Sequence, residues 1–304
     1  LNMKDPTVRR APPRPQPTAK PQPGPGHGRQ SSSRPGKPRP AAAPADADGG
    51  KVKLVRVSGL PAVAALFATA PERVERMFFE PGIGSKAGAF CKTLAALHKP
   101  YKQVPPDELT RIAGTAMHGS IVALATAKPL ATLDRATAVS GAVAWARAGE
   151  PLLILDGVSN PHNLGAIART AAFFGVKRLL LSDHPTQALP SDAAYRVARG
   201  GLEYLDLQLA RDLPAVLRAL SPNYLVVGAT LGNGRPPEAF AGSSRPMALV
   251  MGNEEDGLGA ETLAACDAIV TIPGAGADQM QSLNVAASSA ILMHALLQPR
   301  ARKL

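Results

Sequence analysis

The apolar residues of the carboxyl-terminal half fall into short, nearly continuous runs. Runs of this kind predict strands buried on both faces, here at residues 152–155, 178–181, 225–227, 248–251 and 269–272. Predicted helices alternate with them, at residues 165–174, 213–220, 260–265 and 283–297. This alternation predicts an α/β fold with a mostly parallel sheet and flanking helices over residues 151–304.

Residues 51–128 carry a second set of shorter elements and predict a small α/β domain. The predicted strands are at 52–57, 74–79, 101–104 and 120–125, and the predicted helices are at 60–67, 86–98 and 107–112. Residues 129–150 predict a linker with one helix at 133–147. Trp145 lies in that helix among alanine and valine, which predicts packing rather than stacking on a nucleobase.

Charge separates the first 50 residues from the rest of the 304-residue chain. They hold nine basic and three acidic residues, 12 prolines and no aromatic residue, and they supply +6 of the net charge of +11. Because this segment has little apolar surface to bury, we expect a disordered basic tail. Its spaced positive charges would raise affinity for RNA or DNA without selecting a sequence, and a purely solubilising tail is the alternative.

The sequence disfavours membrane, secreted and metal-binding proteins. No apolar run approaches the roughly 20 residues that a membrane span needs, and no charged start precedes an apolar stretch as in a signal peptide. Cys91 and Cys266 have no Cys or His at metal-ligand spacing, so we expect two small buried hydrophobes rather than a disulfide or a zinc site. We therefore expect a soluble, cytoplasmic protein without a metal.

Polar residues gather where the predicted strands end, at the edge where open α/β sheets bind ligands. Asn163 follows the first of these strands, and Arg169 lies six residues further on. A carboxamide at a helix start and a guanidinium nearly two turns later can lie beside one bound anion. Either residue alone would be a helix cap or a surface residue, but together they predict a site.

Two further clusters follow later strands. Residues 252–257 read Gly-Asn-Glu-Glu-Asp-Gly, in which glycine permits close backbone approach and the carboxylates favour a ligand with amine or hydroxyl donors. Their spacing is not that of a calcium loop. The last cluster joins Gly274 and Gly276 to Ser282 and Asn284, one of which is expected to cap the final helix. Without a third glycine it disfavours a Rossmann dehydrogenase.

In order and spacing, the three clusters resemble the motifs of the SpoU (TrmH-like) class of SPOUT RNA 2′-O-ribose methyltransferases. The matching stretches are Asn163-x-Gly165-x3-Arg169, Gly252-Asn253-Glu254-x2-Gly257 and Ser282-Leu283-Asn284-Val285. Residues 51–128 are similar to that family's L30e-like substrate-binding domain, with Gly59-x3-Val63 early and His118-Gly119 late. The chain departs from the family pattern in a longer loop between Ile272 and Ser282, and in Ala198-Arg199-Gly200-Gly201, where Ser-Ala-Gly-Ala is usual.

The resemblance implies a deep trefoil knot, S-adenosylmethionine (SAM) as cofactor, and homodimers with sites at the subunit interface. By motif position, it implies cofactor contacts from Thr230, Gly252, Ile272 and Leu283. The implied catalytic set is Asn163, Arg169, Glu254, Ser282 and Asn284. Neither departure from the family pattern removes a member of this set, so activity is expected.

Methyl transfer from a sulfonium requires mainly that the ribose 2′-hydroxyl be held in line and its proton removed. Arg169 is implied to act as the base or with an RNA phosphate, and the second role is favoured because a guanidinium stays protonated. Glu254 would order its loop or hold Arg169 across a dimer. We expect ribosomal RNA as substrate by analogy with the accessory domain, with transfer RNA or a non-catalytic RNA-binding role as alternatives.

Overall fold

A computed structural model describes residues 54–274 and 282–297 of the chain. The predicted basic tail, residues 1–50, lies outside the described residues, as do residues 275–281 of the third sequence cluster. The described residues fall within one compact unit that contains two sheets.

Four strands form the smaller sheet. They are β1 (Leu54–Ser58), β2 (Val74–Phe79), β3 (Tyr101–Gln103) and β4 (Ile121–Thr126), arranged in the order β1-β4-β2-β3. Strand β4 is antiparallel to β1 and β2, whereas β3 is parallel to β2. The helices of this part are α1 (Leu60–Thr69), α2 (Gly84–Ala96) and α3 (Pro106–Ala113). All seven elements were predicted from the sequence, with bounds shifted by a few residues.

His118 has a structural role in this sheet. Its side chain is buried, and Nδ1 accepts a hydrogen bond from the Ser120 backbone N–H at 3.2 Å. Nε2 lies within hydrogen-bond distance of Thr110 Oγ1, at 3.1 Å. The imidazole thus holds the turn before β4, where Gly119 and Ser120 both have positive φ.

Seven strands form the larger sheet, and all neighbouring strands in it are parallel. They are β5 (Ala131–Leu133), β6 (Leu152–Leu155), β7 (Arg178–Ser182), β8 (Asp206–Ala210), β9 (Leu225–Ala229), β10 (Met247–Met251) and β11 (Ala268–Val270). Their order across the sheet is β11-β9-β10-β6-β7-β8-β5. After β6, the next strands β7 and β8 are added on one side of it. The chain then crosses to the other side of β6, where it forms β9, β10 and β11. The direction in which strands are added therefore changes between the neighbours β6 and β10, which is the topological switch point of the sheet.

Helices cover both faces of the larger sheet, as its fully buried strands require. One face carries α4 (Arg135–Arg147), α8 (Leu213–Leu220) and α9 (Ala260–Ala264). The other carries α5 (Pro161–Phe173), α6 (Asp192–Ala198), α7 (Gly201–Tyr204) and α10 (Val285–Leu292), which a π-helical turn, Met293–Leu297, continues. Strand β6 serves both cores, since Leu153 and Leu155 face the α5 side and Leu152 and Ile154 face the α8 side.

Residues 129–150 are more than the linker that the sequence predicts. They contain the predicted helix, as α4, and also the edge strand β5, which pairs with β8. Neither strand was predicted, because β5 has only three residues and β8 carries the polar residues Asp206 and Gln208. Trp145 packs against the core as expected, and the Arg178 guanidinium lies 4.6 Å from its ring centroid.

The two cysteines are free, as predicted, but they are only partly buried. Cys91 of α2 packs against the core that the smaller sheet shares with α5, and burial raises the pKa of its thiol. Cys266 Sγ donates to Thr262 O at 3.2 Å, and burial raises the pKa of this thiol to about 12. Both thiols therefore remain protonated at neutral pH.

A buried ion pair joins the two sheets. Arg73, just before β2, donates to Glu203 Oε2 at 2.6 Å, and these side chains are 10% and 1% exposed. The same guanidinium donates to Thr126 O at 2.9 and 3.1 Å. Lys128 Nζ donates to three carbonyl oxygens of residues 202–205, and burial lowers the pKa of this amine. These contacts, which we call the junction, fix the smaller sheet against α7.

Among the described helices, none has the length and apolar character needed to cross a membrane. The trefoil knot implied by the resemblance would involve the chain around the second and third motifs. Part of that stretch, residues 275–281, is outside the described residues, so the knot stays a prediction.

Candidate active site

The first two sequence clusters meet because β6 and β10 are neighbours in the larger sheet. Leu155 and Met251, the last residues of these strands, pair in register. The clusters begin at the next residues, Asp156 and Gly252, and the Asp156 N–H donates to Met251 O at 2.8 Å. Since the strand order reverses here, this is the edge at which an open α/β sheet offers a ligand crevice.

A cavity of about 560 Å³ opens at this edge. All four residues predicted to contact a cofactor line it: Thr230, Gly252, Ile272 and Leu283. They follow β9, β10 and β11 and precede α10. Glu254 and Ser282, two members of the predicted catalytic set, line the same cavity. The structure therefore brings residues from four separate segments to one place.

The cavity combines an apolar wall with carboxylates. Its apolar lining includes Leu231, Leu258, Ile272, Leu283 and Val285, and residues 254–256 add three carboxylates. Its volume and its few polar groups on an apolar wall are typical of sites for small organic ligands. Within the part of the chain that the structure describes, no cluster of three or more His, Cys, Asp or Glu side chains could hold a metal ion.

Asn253 shapes the loop of residues 252–257. Its backbone N–H donates to Gly257 O at 2.9 Å, and its Oδ1 accepts from two backbone N–H groups later in the loop. Its Nδ2 donates to Gly157 O at 2.8 Å, which ties the loop to the first cluster. A Cβ on Gly252 would lie 2.4 Å from the Gly257 carbonyl carbon, so this close approach requires glycine.

Asn163, Glu254 and Asn284 are joined side chain to side chain. Asn163 Nδ2 donates to Glu254 Oε1 at 2.8 Å, and Asn284 Nδ2 donates to Asn163 Oδ1 at 3.2 Å. Asn284 Oδ1 also caps α10 by accepting from the backbone N–H groups of Ala286 and Ala287. One residue from each cluster therefore belongs to a single network within one chain.

Two neighbours of this network were missed in the sequence. The cap of α5 is Asn160, whose Oδ1 accepts from the His162 N–H at 2.8 Å, so Asn163 is free to bind Glu254. Asparagine directly before a proline at a helix start was the signal for that cap. Ser159 N–H donates to Glu254 Oε2 at 3.3 Å, and no local pattern indicates a partner 95 residues away.

Arg169 and Ser282 are the members of the predicted catalytic set outside this network. Arg169 is exposed on α5 and makes no hydrogen bond or ion pair with a described residue. Ser282 is exposed at the cavity wall. Because a guanidinium stays charged and carries five N–H donors, Arg169 offers a binding group for an anion.

Two families match this chain. Residues 150–294 match the SpoU rRNA Methylase family, and residues 56–131 match the family described as RNA 2′-O ribose methyltransferase substrate binding. A Haemophilus ducreyi protein named 23S rRNA (guanosine-2′-O-)-methyltransferase RlmB is 30% identical over 248 residues, which cover 81% of this chain and 98% of that protein. The chain belongs to the SpoU rRNA methylase family.

A further relative and a solved structure are each similar over most of the chain. One relative is the Escherichia coli O157:H7 protein named uncharacterized tRNA/rRNA methyltransferase YfiF, which is 32% identical over 78% of this chain. The chain spans 66% of the length of that protein and less than half of the length of two further relatives. The crystal structure of an AdoMet-bound rRNA methyltransferase from Sinorhizobium meliloti superposes with a TM-score of 0.64 at 22% identity, over 80% of this chain and 86% of that one. The predicted SPOUT-type α/β fold is thereby confirmed.

Proposed function

We propose that this protein is a SAM-dependent RNA methyltransferase that methylates a ribose 2′-hydroxyl, in ribosomal RNA rather than transfer RNA. The observation that carries the proposal is the meeting of six site residues from four separate segments at one cavity. The network of Asn163, Glu254 and Asn284 lies beside it. Membership of the SpoU family supports the same chemistry.

The chemistry of the cavity fits SAM. Its apolar wall suits an adenine ring, and the carboxylates of residues 254–256 suit positively charged sulfonium and ammonium groups. When bound, SAM supplies a methyl group that the positive charge on sulfur already activates. The residues that would hold it are Thr230, Gly252, Ile272 and Leu283.

The polar side chains around the cavity would orient the ribose. Asn163 and Asn284 carry amide groups, and Ser282 carries a hydroxyl that can donate or accept. Alignment of the 2′-hydroxyl with an activated methyl group can supply much of the rate. Glu254 is a positioning residue in this scheme, because its two carboxylate oxygens already accept from Asn163 and Ser159.

Arg169 would bind an RNA phosphate. Its guanidinium is exposed, with no partner among the residues described. A guanidinium that stays protonated cannot take the ribose proton, whereas it matches the oxygens of a phosphate. The phosphate role is therefore the one that its chemistry supports.

The choice of ribosomal RNA follows from the smaller sheet and from the relatives. Residues 56–131 match a substrate-binding family, and a relative of nearly full coverage is named for 23S rRNA. In this proposal residues 51–128 bind RNA, residues 129–150 connect, and residues 151–304 catalyse. The basic tail would add non-specific affinity. The protein would act in the cytoplasm, where ribosomal RNA is found.

A homodimer is also part of the proposal. Helices α5 and α10 lie side by side and expose Phe173 and Ile291, at 83% and 43%. The exposed Leu283 adds to this apolar face at the cavity. A second copy would cover the face and complete the cavity wall. Light scattering should therefore give a dimer, and Phe173→Glu should give a monomer.

Calorimetry with SAM and labelled methyl transfer test the function. We expect one SAM site per chain and label on ribose 2′-oxygens of ribosomal RNA, with transfer RNA as the parallel substrate. Labelling of transfer RNA alone would overturn the choice of substrate. RNA binding without SAM binding or methyl transfer would instead identify a non-catalytic RNA-binding protein.

A further inference from the structure

We propose that Arg199 is a second phosphate-binding residue of the RNA site and acts beside Arg169. This inference rests on the proposed function and extends it. It concerns residues 198–201, Ala-Arg-Gly-Gly, which connect α6 to α7.

Residues 198–201 lie against the middle of α5. A Cβ on Gly165 would lie 2.6 Å from a backbone oxygen of α6, and a Cβ on Gly201 would lie 2.7 Å from the Cα of Arg169. Helix α5 is therefore in contact with the chain on both sides of Arg199. Two peptide units, at most about 7.6 Å between Cα atoms, separate Arg199 from the residue that touches Arg169.

Arg199 is the one position in this segment that can present a side chain to solvent. Ala198 is 1% exposed, and a Cβ on Gly200 would lie 2.7 Å from the Ala65 Cβ of α1. Gly201 has no room for a side chain, as its contact with α5 shows. Arg199 itself is exposed. The backbone that follows Arg199 is thus held between α1 and α5, while the Arg199 side chain is exposed to solvent.

The backbone at Arg199 does not favour arginine. Its φ of 49° and ψ of 37° are left-handed and end helix α6. Glycine adopts this conformation with the least strain and is the common residue after a helix. Strained positions of this kind gather at functional sites. A role for the side chain therefore accounts for arginine here better than the turn does.

Neither Arg169 nor Arg199 has a carboxylate partner among the described residues. Two other arginines near this segment are paired, Arg73 with Glu203 and Arg56 with Asp192, whereas Arg196 on α6 likewise has no described carboxylate partner. Two unpaired guanidinium groups on touching segments repel each other unless an anion neutralises them. An RNA strand offers one phosphate per nucleotide, and each phosphate can accept two parallel hydrogen bonds from a guanidinium.

Fluorescence anisotropy with a short, labelled single-stranded RNA tests the inference in the full chain. Arg199→Ala should weaken binding about tenfold. It should also reduce the slope of log affinity against log salt by about 0.7. Arg218→Ala is the matched control, because Arg218 is exposed on α8 at the opposite face of the sheet, and it should change neither value.

Two further measurements separate a lost contact from a lost fold or a lost activity. Arg199→Gly relaxes the backbone, so it should lose the same RNA affinity without a lower melting temperature. SAM affinity, measured by calorimetry, should be unchanged in both variants, while the KM for RNA rises. If Arg199→Ala behaves like Arg218→Ala in affinity and salt slope, the inference is wrong. If the wild type transfers no methyl group but the salt slope still falls in Arg199→Ala, the RNA contact stands and the proposed methyl transfer fails.

Discussion

The junction between the two sheets and the candidate active site differ in whether their charged side chains are paired within the chain. At the junction, Arg73 and Glu203 are buried and paired, and Lys128 donates to three carbonyl oxygens. At the site, Arg169 and Arg199 are exposed and have no described partner. Pairing within the chain thus separates the charges of the junction from Arg169 and Arg199, which an external anion can reach.

The junction should give the largest effect on stability. Glu203→Ala leaves the Arg73 guanidinium buried without its carboxylate. The free energy of unfolding should fall by about 3–5 kcal/mol, because an uncompensated charge remains in the interior. Urea unfolding followed by circular dichroism measures the loss.

A double variant, Arg73→Met with Glu203→Leu, shows which part of that loss is the orphaned charge. Apolar residues of similar volume often replace a buried ion pair at little cost. The double variant should therefore be more stable than Glu203→Ala alone. If it is equally unstable, the pair itself stabilises the junction, and the explanation by an orphaned charge is wrong.

Arg169→Ala should show the opposite behaviour. Without a partner in the protein, its loss should change the free energy of unfolding by less than about 0.5 kcal/mol. Methyl transfer to ribosomal RNA should fall about 100-fold, since misplacement of the substrate has effects of this size. This corresponds to about 2.7 kcal/mol of transition-state stabilisation. A marked fall in the free energy of unfolding would contradict this distinction between the junction and the site, because Arg169 would then stabilise the fold as Arg73 does.

Glu254 lies between the two classes, since it lines the cavity and is paired within the chain. Glu254→Gln keeps the shape but turns one oxygen into an amide donor that faces Asn163 or Ser159. We expect a loss of about 1–3 kcal/mol in the free energy of unfolding, together with weaker SAM binding. Unchanged SAM affinity in calorimetry would show that these hydrogen bonds do not shape the cavity.

The fold was predictable where apolar runs are continuous. The predicted bounds of β6 and α8 are those of the structure, because burial on both faces or along one stripe leaves a clear pattern. Strand β8 was not predicted because Asp206 and Gln208 interrupt its apolar residues. The three-residue strand β5 was not predicted because Leu133 is its only buried residue.

The residues of the site were predictable, but their contacts were not. Motif spacing pointed to Asn163, Glu254 and Asn284, yet the hydrogen bonds among them join residues 91 and 121 positions apart. Such contacts form because β10 lies next to β6 in the sheet. The apolar pattern predicts where strands occur but not which strands are neighbours, so it could not predict these contacts. The pair of Arg73 and Glu203, 130 residues apart, was missed for the same reason.

Cys266 represents a third class of ionisable group, beside the paired charges of the junction and the unpaired charges of the site. Its thiol is partly buried and stays neutral. Burial raises the pKa of its thiol from 9.0 to about 12. Above pH 9 the unfolded chain loses this proton while the folded chain keeps it, so the folded state binds more protons and stability falls as pH rises toward 12. Between pH 9 and 10, this group alone should lower the free energy of unfolding by about 1 kcal/mol.

Cys266→Ala should remove that part of the alkaline loss. Urea unfolding of both proteins at pH 7, 8, 9 and 10 measures it, and the values at pH 7 and 8, where the thiol is protonated in both states, give the control. Tyr224, whose pKa burial also raises, is present in both proteins and cancels in the comparison. Equal losses between pH 9 and 10 would show that the folded protein accommodates the thiolate as well as water does. Cys266 would then not belong to this third class.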